Sequence, residues 1–138
     1  MKATSLSPRL RVRLAYFALV VGTIGLGLFV HLRGTALSPA ARDVLGDALW
    51  AVMIMWCVSA VAPDARRMTR GATALAVCWA VELSQLYHTS RLDALRTTTI
   101  GHLVLGSGFD SRDLVAYAAG IFLAVALEAL ARRGVPSR

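Results

Sequence analysis

The stretch Leu14–Leu32, LAYFALVVGTIGLGLFVHL, runs for nineteen residues between Arg13 and Arg33 without one formal charge. A helix crosses the hydrocarbon core of a bilayer with about 20 apolar residues, so this stretch reads as a membrane span. Three more follow it: about 44–62, interrupted by Asp47; about 72–87, which holds Glu82; and about 114–131, with Glu128 near its end. The pattern predicts an all-α integral membrane bundle of four transmembrane helices, a single membrane domain over residues 1–138. Composition agrees. The chain is 57% hydrophobic and 17% charged, against about 25% charged residues in soluble domains, and its mean hydropathy is +0.60. A cleaved signal peptide is the alternative for the first span. Its basic start fits, but nineteen apolar residues exceed the usual 7–15 and no clean A-x-A site follows.

The net charge of +7 raises the question of nucleic acid. A nucleic-acid module shows a basic face with stacking aromatics on a soluble scaffold, and none is present, so nucleic acid is excluded as a partner. The cations sort by loop instead. Lys2, Arg9, Arg11, Arg13, Arg66, Arg67, Arg70, Arg132, Arg133 and Arg138 fall on one side of a four-span bundle. Arg33, Arg42, Arg91, Arg96 and Arg112 fall on the other. The positive-inside rule then places both termini in the cytoplasm. Basic termini also suit anionic headgroups, which makes membrane lipids expected partners.

Cys57 and Cys78 both fall inside spans and read as small packing residues; no metal or cofactor is expected from them. Trp50 suits an outer aromatic belt, while Trp56 and Trp79 sit deeper and read as packing residues. Ala116, Gly120 and Ala124 repeat at spacing four, a stripe that lets helices approach closely. Thr23 and Gly27 repeat it in the first span. Ordinary bundle packing explains both, and a homo-oligomer is left open.

Most of the acids gather on the non-cytoplasmic side of this topology. Asp43 and Asp47 open the second span, Glu82, Gln85 and His88 close the third, and Asp110 and Asp113 open the fourth. His31 and His102 fall there too. A charge near a span's centre costs about 2.5–3.5 kcal/mol on insertion scales, so such residues face a packed interior or a wet cavity. Glu82 and Gln85 are i,i+3 and share a helix face; Asp113, Tyr117 and Gly120 form another stripe. Two readings stand for each group. Asp110 and Asp113 are either ligand acceptors or an N-cap and its capping-box partner. Glu82 is either a ligand acceptor or an interhelical partner of Arg91, Arg96 or Arg112. The connection 88–113 is long for a bundle and apolar in its middle, so a re-entrant or interfacial segment is expected above Glu82, with a pocket beneath it.

ELSQLYH (82–88), then Arg91, an LG pair and FDSRDLVAYAAG (109–120) carry a resemblance. The chain resembles a small bacterial membrane family known as domain of unknown function 2809, which sometimes carries a ribosomal-maturation label. It is similar, more distantly, to the VanZ-like family associated with glycopeptide (teicoplanin) resistance. The resemblance implies about four membrane helices, an E-x-x-Q pair at Glu82 and Gln85, a D-x-x-D pair at Asp110 and Asp113, and a small residue at Gly120. Tyr117 stands where the VanZ-like pattern tends to have Asn. It also implies the cytoplasmic (inner) membrane of a bacterium. A chain this hydrophobic offers no surface for RNA, so the ribosomal label finds no footing.

Three functions fit. The first is a module that binds or handles a cell-envelope component (a lipid, lipid-linked sugar or glycopeptide-like molecule) through Glu82, Gln85, His88, Arg91, Asp110, Asp113 and Tyr117. The second is a structural or accessory subunit whose polar cluster only locks helices. The third is a membrane hydrolase or transferase, which two carboxylates and a histidine could serve, although no recognised catalytic spacing is present.

Overall fold

A computed structural model describes residues 6–34, 36–106 and 108–133, together with the backbone but not the side chains of 102–104 and 133. Six helices appear and, among the described residues, no strand: α1 (Pro8–Arg33), α2 (Pro39–Val61), α3 (Arg67–Ser84), α4 (Ser90–Arg96), α5 (Thr99–Leu105) and α6 (Ser111–Arg133). Three of them, α1, α2 and α6, are long and apolar enough to cross a membrane. The chain is therefore a membrane protein. The third expected span is realised as α3, which has 18 residues and is not among the three.

Local chemistry explains the boundaries. Ser7 caps α1 by accepting from the Leu10 N–H at 3.3 Å, and Ser38 caps α2 by accepting from the Ala41 N–H at 3.2 Å. Each serine precedes a proline at the first helical position, where a fixed φ and a missing N–H are tolerated. These caps start α1 six residues before Leu14 and α2 five before Val44. The basic first turns of α1 are helical although they stand outside the apolar run. The segment 88–113, expected as a long partly apolar loop, contains α4 and α5.

The helices α2 and α6 run side by side in the same direction, α3 lies antiparallel against both, and α1 packs antiparallel on α2. The bundle thus has two ends. The basal end gathers the start of α1, the end of α2, the start of α3 and the end of α6; the apical end gathers the opposite termini and the connection through α4 and α5. The core between them is built of small and medium residues, Ala51, Met55, Ala74, Cys78, Ile121 and Ala124, with Tyr16, Trp56 and Tyr117 beside them. Ala116, Gly120 and Ala124 face this core. A Cβ at Gly120 would collide with the backbone of Ala48, so α2 and α6 touch nearly backbone to backbone. The outside is the apolar surface: Phe17, Phe29, Val61, Val115 and Phe122 are each more than half exposed. Large apolar groups outward and charges inward is the distribution a bilayer favours over water.

Candidate functional site

Polar side chains collect at both ends of this core. At the apical end Glu82 is fully buried, two residues before α3 stops. Its Oε2 accepts from Gln85 Nε2 at 2.9 Å and from the Tyr117 hydroxyl at 3.1 Å; its Oε1 accepts from the backbone N–H of Asp110 at 2.8 Å. Gln85 in turn accepts from the Gly108 N–H at 2.9 Å. Gly106 adopts a left-handed φ of 67° and lies so close to Gln85 that a Cβ there would collide with its amide. Only glycine meets both demands without strain. The E-x-x-Q pair therefore grips the backbone that enters α6. The space above Glu82, the expected pocket, is crossed by that backbone.

In front of this grip stand two more carboxyls. Asp47 of α2 and Asp113 of α6 are half-buried and lie close enough to interact. Asp43 and Asp110 are exposed nearby. Asp110 caps α6: its Oδ1 accepts from the Arg112 N–H at 2.8 Å, and its carbonyl from the Asp113 N–H at 3.1 Å. Among the described residues no group of three metal-ligating side chains converges.

The structure thus brings together five of the seven expected residues: Glu82, Gln85, Asp110, Asp113 and Tyr117. It does not bring His88 or Arg91. His88 is exposed beyond α3, with Nδ1 at 3.1 Å from Asp93 Oδ1, and Arg91 is exposed on α4. Nor is an arginine the partner of Glu82. Arg96 is buried elsewhere, donating to the carbonyls of Ser84 at 2.8 Å and Tyr87 at 3.0 Å and pairing with Asp93 at 3.2 Å. It closes the C-terminus of α3, where cations satisfy orphan carbonyls. Arg112 is exposed. The side chain of His102 lies outside the described residues. The sequence puts Asp47 at the correct end without singling it out as a site residue; its position one turn inside an apolar span is the signal.

The basal end holds a second cluster that the sequence conceals. Arg70, expected in a loop, is inside α3 and only 2% exposed. It donates to Glu128 Oε1 at 2.6 Å and to the Tyr16 hydroxyl at 2.8 Å, and its guanidinium sits 5.4 Å from the Tyr16 ring. Tyr16 donates to the same Glu128 oxygen at 2.9 Å and stacks on Trp56. Arg132, one turn after Glu128, adds a second cation at 2.8 Å. Arg70 and Glu82 are twelve residues apart on α3, about 18 Å of helix rise. Their partners Glu128 and Tyr117 are eleven apart on antiparallel α6. Two polar rungs at matching heights therefore fasten α3 to α6, and Gly71 between them lies against Val125 and Ile121.

Trp79, expected to pack inside, is 41% exposed and donates from Nε1 to the Leu114 carbonyl at 3.2 Å. Cys78 is buried and Cys57 half-buried, both as free thiols.

No solved structure matches the chain. The match to a known family covers residues 36–121, from the connection before α2 to the middle of α6, and so includes every apical residue named above. Over well more than half its length the chain fits that family's pattern, and it belongs to the family described as "Protein of unknown function (DUF2809)".

Proposed function

We propose that the chain crosses the cytoplasmic membrane of a bacterium four times, with its basal end in the cytoplasm, and that its apical end binds a cell-envelope component. Two observations support the topology. Inside the bundle the Arg70 and Glu82 charges of α3 are both satisfied by α1 or α6, so two of the three charges that make α3 look too polar to span are turned away from lipid. Among the described side chains the basal end also carries seven cations against two acids, Asp64 and Glu128, while the apical end carries five against six.

The binding reading rests on the Asp47–Asp113 pair. Each acid comes from a different membrane helix, and both stand half-buried at the mouth of the bundle in front of the closed Glu82–Gln85 grip. Carboxylates so placed accept from the hydroxyls or amines of a sugar, an aminosugar or an amine-bearing headgroup, with Arg112 exposed at the rim for phosphate. The distant VanZ-like resemblance favours the same class of ligand, a lipid-linked sugar or glycopeptide-like molecule. Native mass spectrometry from mild detergent tests it on wild type, Asp47→Asn and Asp113→Asn. A discrete envelope-derived adduct on the wild type, lost from both folded variants, is the expected result. An adduct that persists in both variants, or none on any of the three, overturns it.

A second reading, a structural or accessory membrane subunit, is favoured by one observation: Glu82 spends both oxygens on internal partners and has none directed to a ligand. Absence of an adduct together with lowered stability in Glu82→Ala would select it. A hydrolase or transferase would draw on the same apical carboxyls, without His88, which pairs with Asp93.

A further inference from the structure

A cavity of about 460 Å³ opens between α2 and α3 at the basal end, away from the apical acids. Ile54, Val58 and Val61 line it from α2, and Thr73 and Val77 from α3. Both sets follow helical spacing, so the walls are two facing helix stripes about 10 Å long. That is about two-thirds of the depth of one leaflet, half of a hydrocarbon core roughly 30 Å thick. The cleft is thus an apolar slot running inward from the basal edge.

The mouth of the slot is cationic. The start of α3 lies there, with Thr69 and Arg70 in the lining, and its N-cap residue Arg66 makes no side-chain capping hydrogen bond. The first N–H groups of a helix and its dipole favour an anion. Arg66 is exposed and Arg67 half-exposed beside them. Arg70 also forms part of the slot's wall. Arg70 is buried, yet among the described residues its Nε–H has no hydrogen-bond partner, and a buried donor without an acceptor is costly.

We infer that this slot is a binding site for one anionic phospholipid, its acyl chain between α2 and α3 and its phosphate at the α3 N-terminus with Arg66 and Arg67. The apolar walls exclude a soluble anion as the whole ligand, and the cationic mouth selects a negative headgroup over a zwitterionic one. The inference needs only that the chain sits in a membrane and is independent of the apical site.

The test uses delipidated full-length protein in mild detergent, titrated with phosphatidylglycerol or phosphatidylcholine and read by native mass spectrometry. One phosphatidylglycerol per chain, bound at least tenfold more tightly than phosphatidylcholine, is expected. Val58→Trp, which fills the slot, should abolish that first binding event, and Arg66→Gln/Arg67→Gln should bring the two lipids close to equal affinity. A third readout needs no substitution in the slot. Cys57 lines it, so phosphatidylglycerol should slow modification of Cys57 by N-ethylmaleimide several-fold, with buried Cys78 as the internal reference. Equal binding of both lipids in wild type, or unchanged Cys57 modification at saturating phosphatidylglycerol, overturns the inference and leaves only unselective lipid contact. A dimer that forms on lipid removal and is lost in Val58→Trp also overturns it, assigning the slot to a second copy of the chain.

Discussion

Glu82 and Glu128 are both carboxylates in apolar helices, yet their environments set different consequences for removing a partner. Glu82 is held by neutral donors, the Tyr117 hydroxyl, the Gln85 amide and the Asp110 N–H. A hydrogen bond to a charged group contributes about 1.5–3 kcal/mol, so Tyr117→Phe should lower stability by about that amount in equilibrium unfolding from mixed micelles. Glu82→Ala strands all three donors at once and should cost more than Tyr117→Phe. An equal or smaller loss would mean the grip is not what holds α6. Around Glu128 the asymmetry is between the two cations. Arg70→Met leaves Glu128 still paired with Arg132 and Tyr16. Glu128→Leu leaves Arg70 buried with only a hydroxyl. Breaking a buried pair costs about 3–5 kcal/mol when the remaining charge is uncompensated, so Glu128→Leu should approach that range and Arg70→Met should cost clearly less. The double variant Arg70→Met/Glu128→Leu should recover part of the loss, measured in the same unfolding assay. If Arg70→Met is the more damaging single change, Arg132 does not hold Glu128 as its distance implies.

At the scale of the helix, the two kinds of glycine separate packing from exposure. Gly120 meets the Ala48 backbone, which cannot give way, whereas a Cβ on Gly22 of α1 would meet nothing within 4 Å. Gly120→Ala should therefore push α2 from α6 and lower the thermal midpoint. Gly22→Ala should leave it unchanged or raise it slightly, since glycine in a helix interior is worse than alanine by about 0.5–1 kcal/mol. Equal effects would refute the close α2–α6 contact. Legibility from sequence divides along the same line between local and distant contacts. The uncharged runs of α1, α2 and α6 are local signals, and each marks its helix without knowledge of any partner. The helix starts are set early by Ser7–Pro8 and Ser38–Pro39, capping pairs that a count of apolar residues passes over. The Arg70–Glu128 pair is beyond reach for another reason. Its members are 58 residues apart, and a lone arginine after a turn has the same sequence signature whether it ends in a loop or in a core. The i,i+3 spacing of Glu82 and Gln85 and the stripe from Asp113 through Tyr117 do signal a shared apical face. The spacing cannot say that both oxygens of Glu82 are taken by the fold, or that His88 turns to Asp93 instead.

Across the whole molecule, the decisive question is whether α3 crosses. Its 18 residues include Arg67, Arg70 and Glu82, and only Arg70 and Glu82 are buried against neighbours, at opposite ends. The uncharged stretch between them, 71–81, covers about 16 Å, shorter than a hydrocarbon core of about 30 Å. The polar rungs extend that reach, because a charge already paired inside the bundle can lie within the hydrocarbon depth without exposure to lipid. If α3 crosses, the turn at Asp64 and the start of α4 at Ser90 lie on opposite sides of the membrane. Both residues are exposed, and the Arg9–Asp64 pair at 3.3 Å is a surface contact that contributes little, so either position accepts a reporter. In a Cys57→Ala/Cys78→Ala background, a membrane-impermeant maleimide applied to intact spheroplasts should label Ser90→Cys and should reach Asp64→Cys only after permeabilisation. The inverse pattern would reverse the orientation that the basal arginines favour. The same response from both cysteines would put Asp64 and Ser90 on one side, where α2 and α6 could not both cross in the same direction, and would overturn the four-span reading together with the pairing of α3 and α6 through the Arg70–Glu128 and Glu82–Tyr117 rungs.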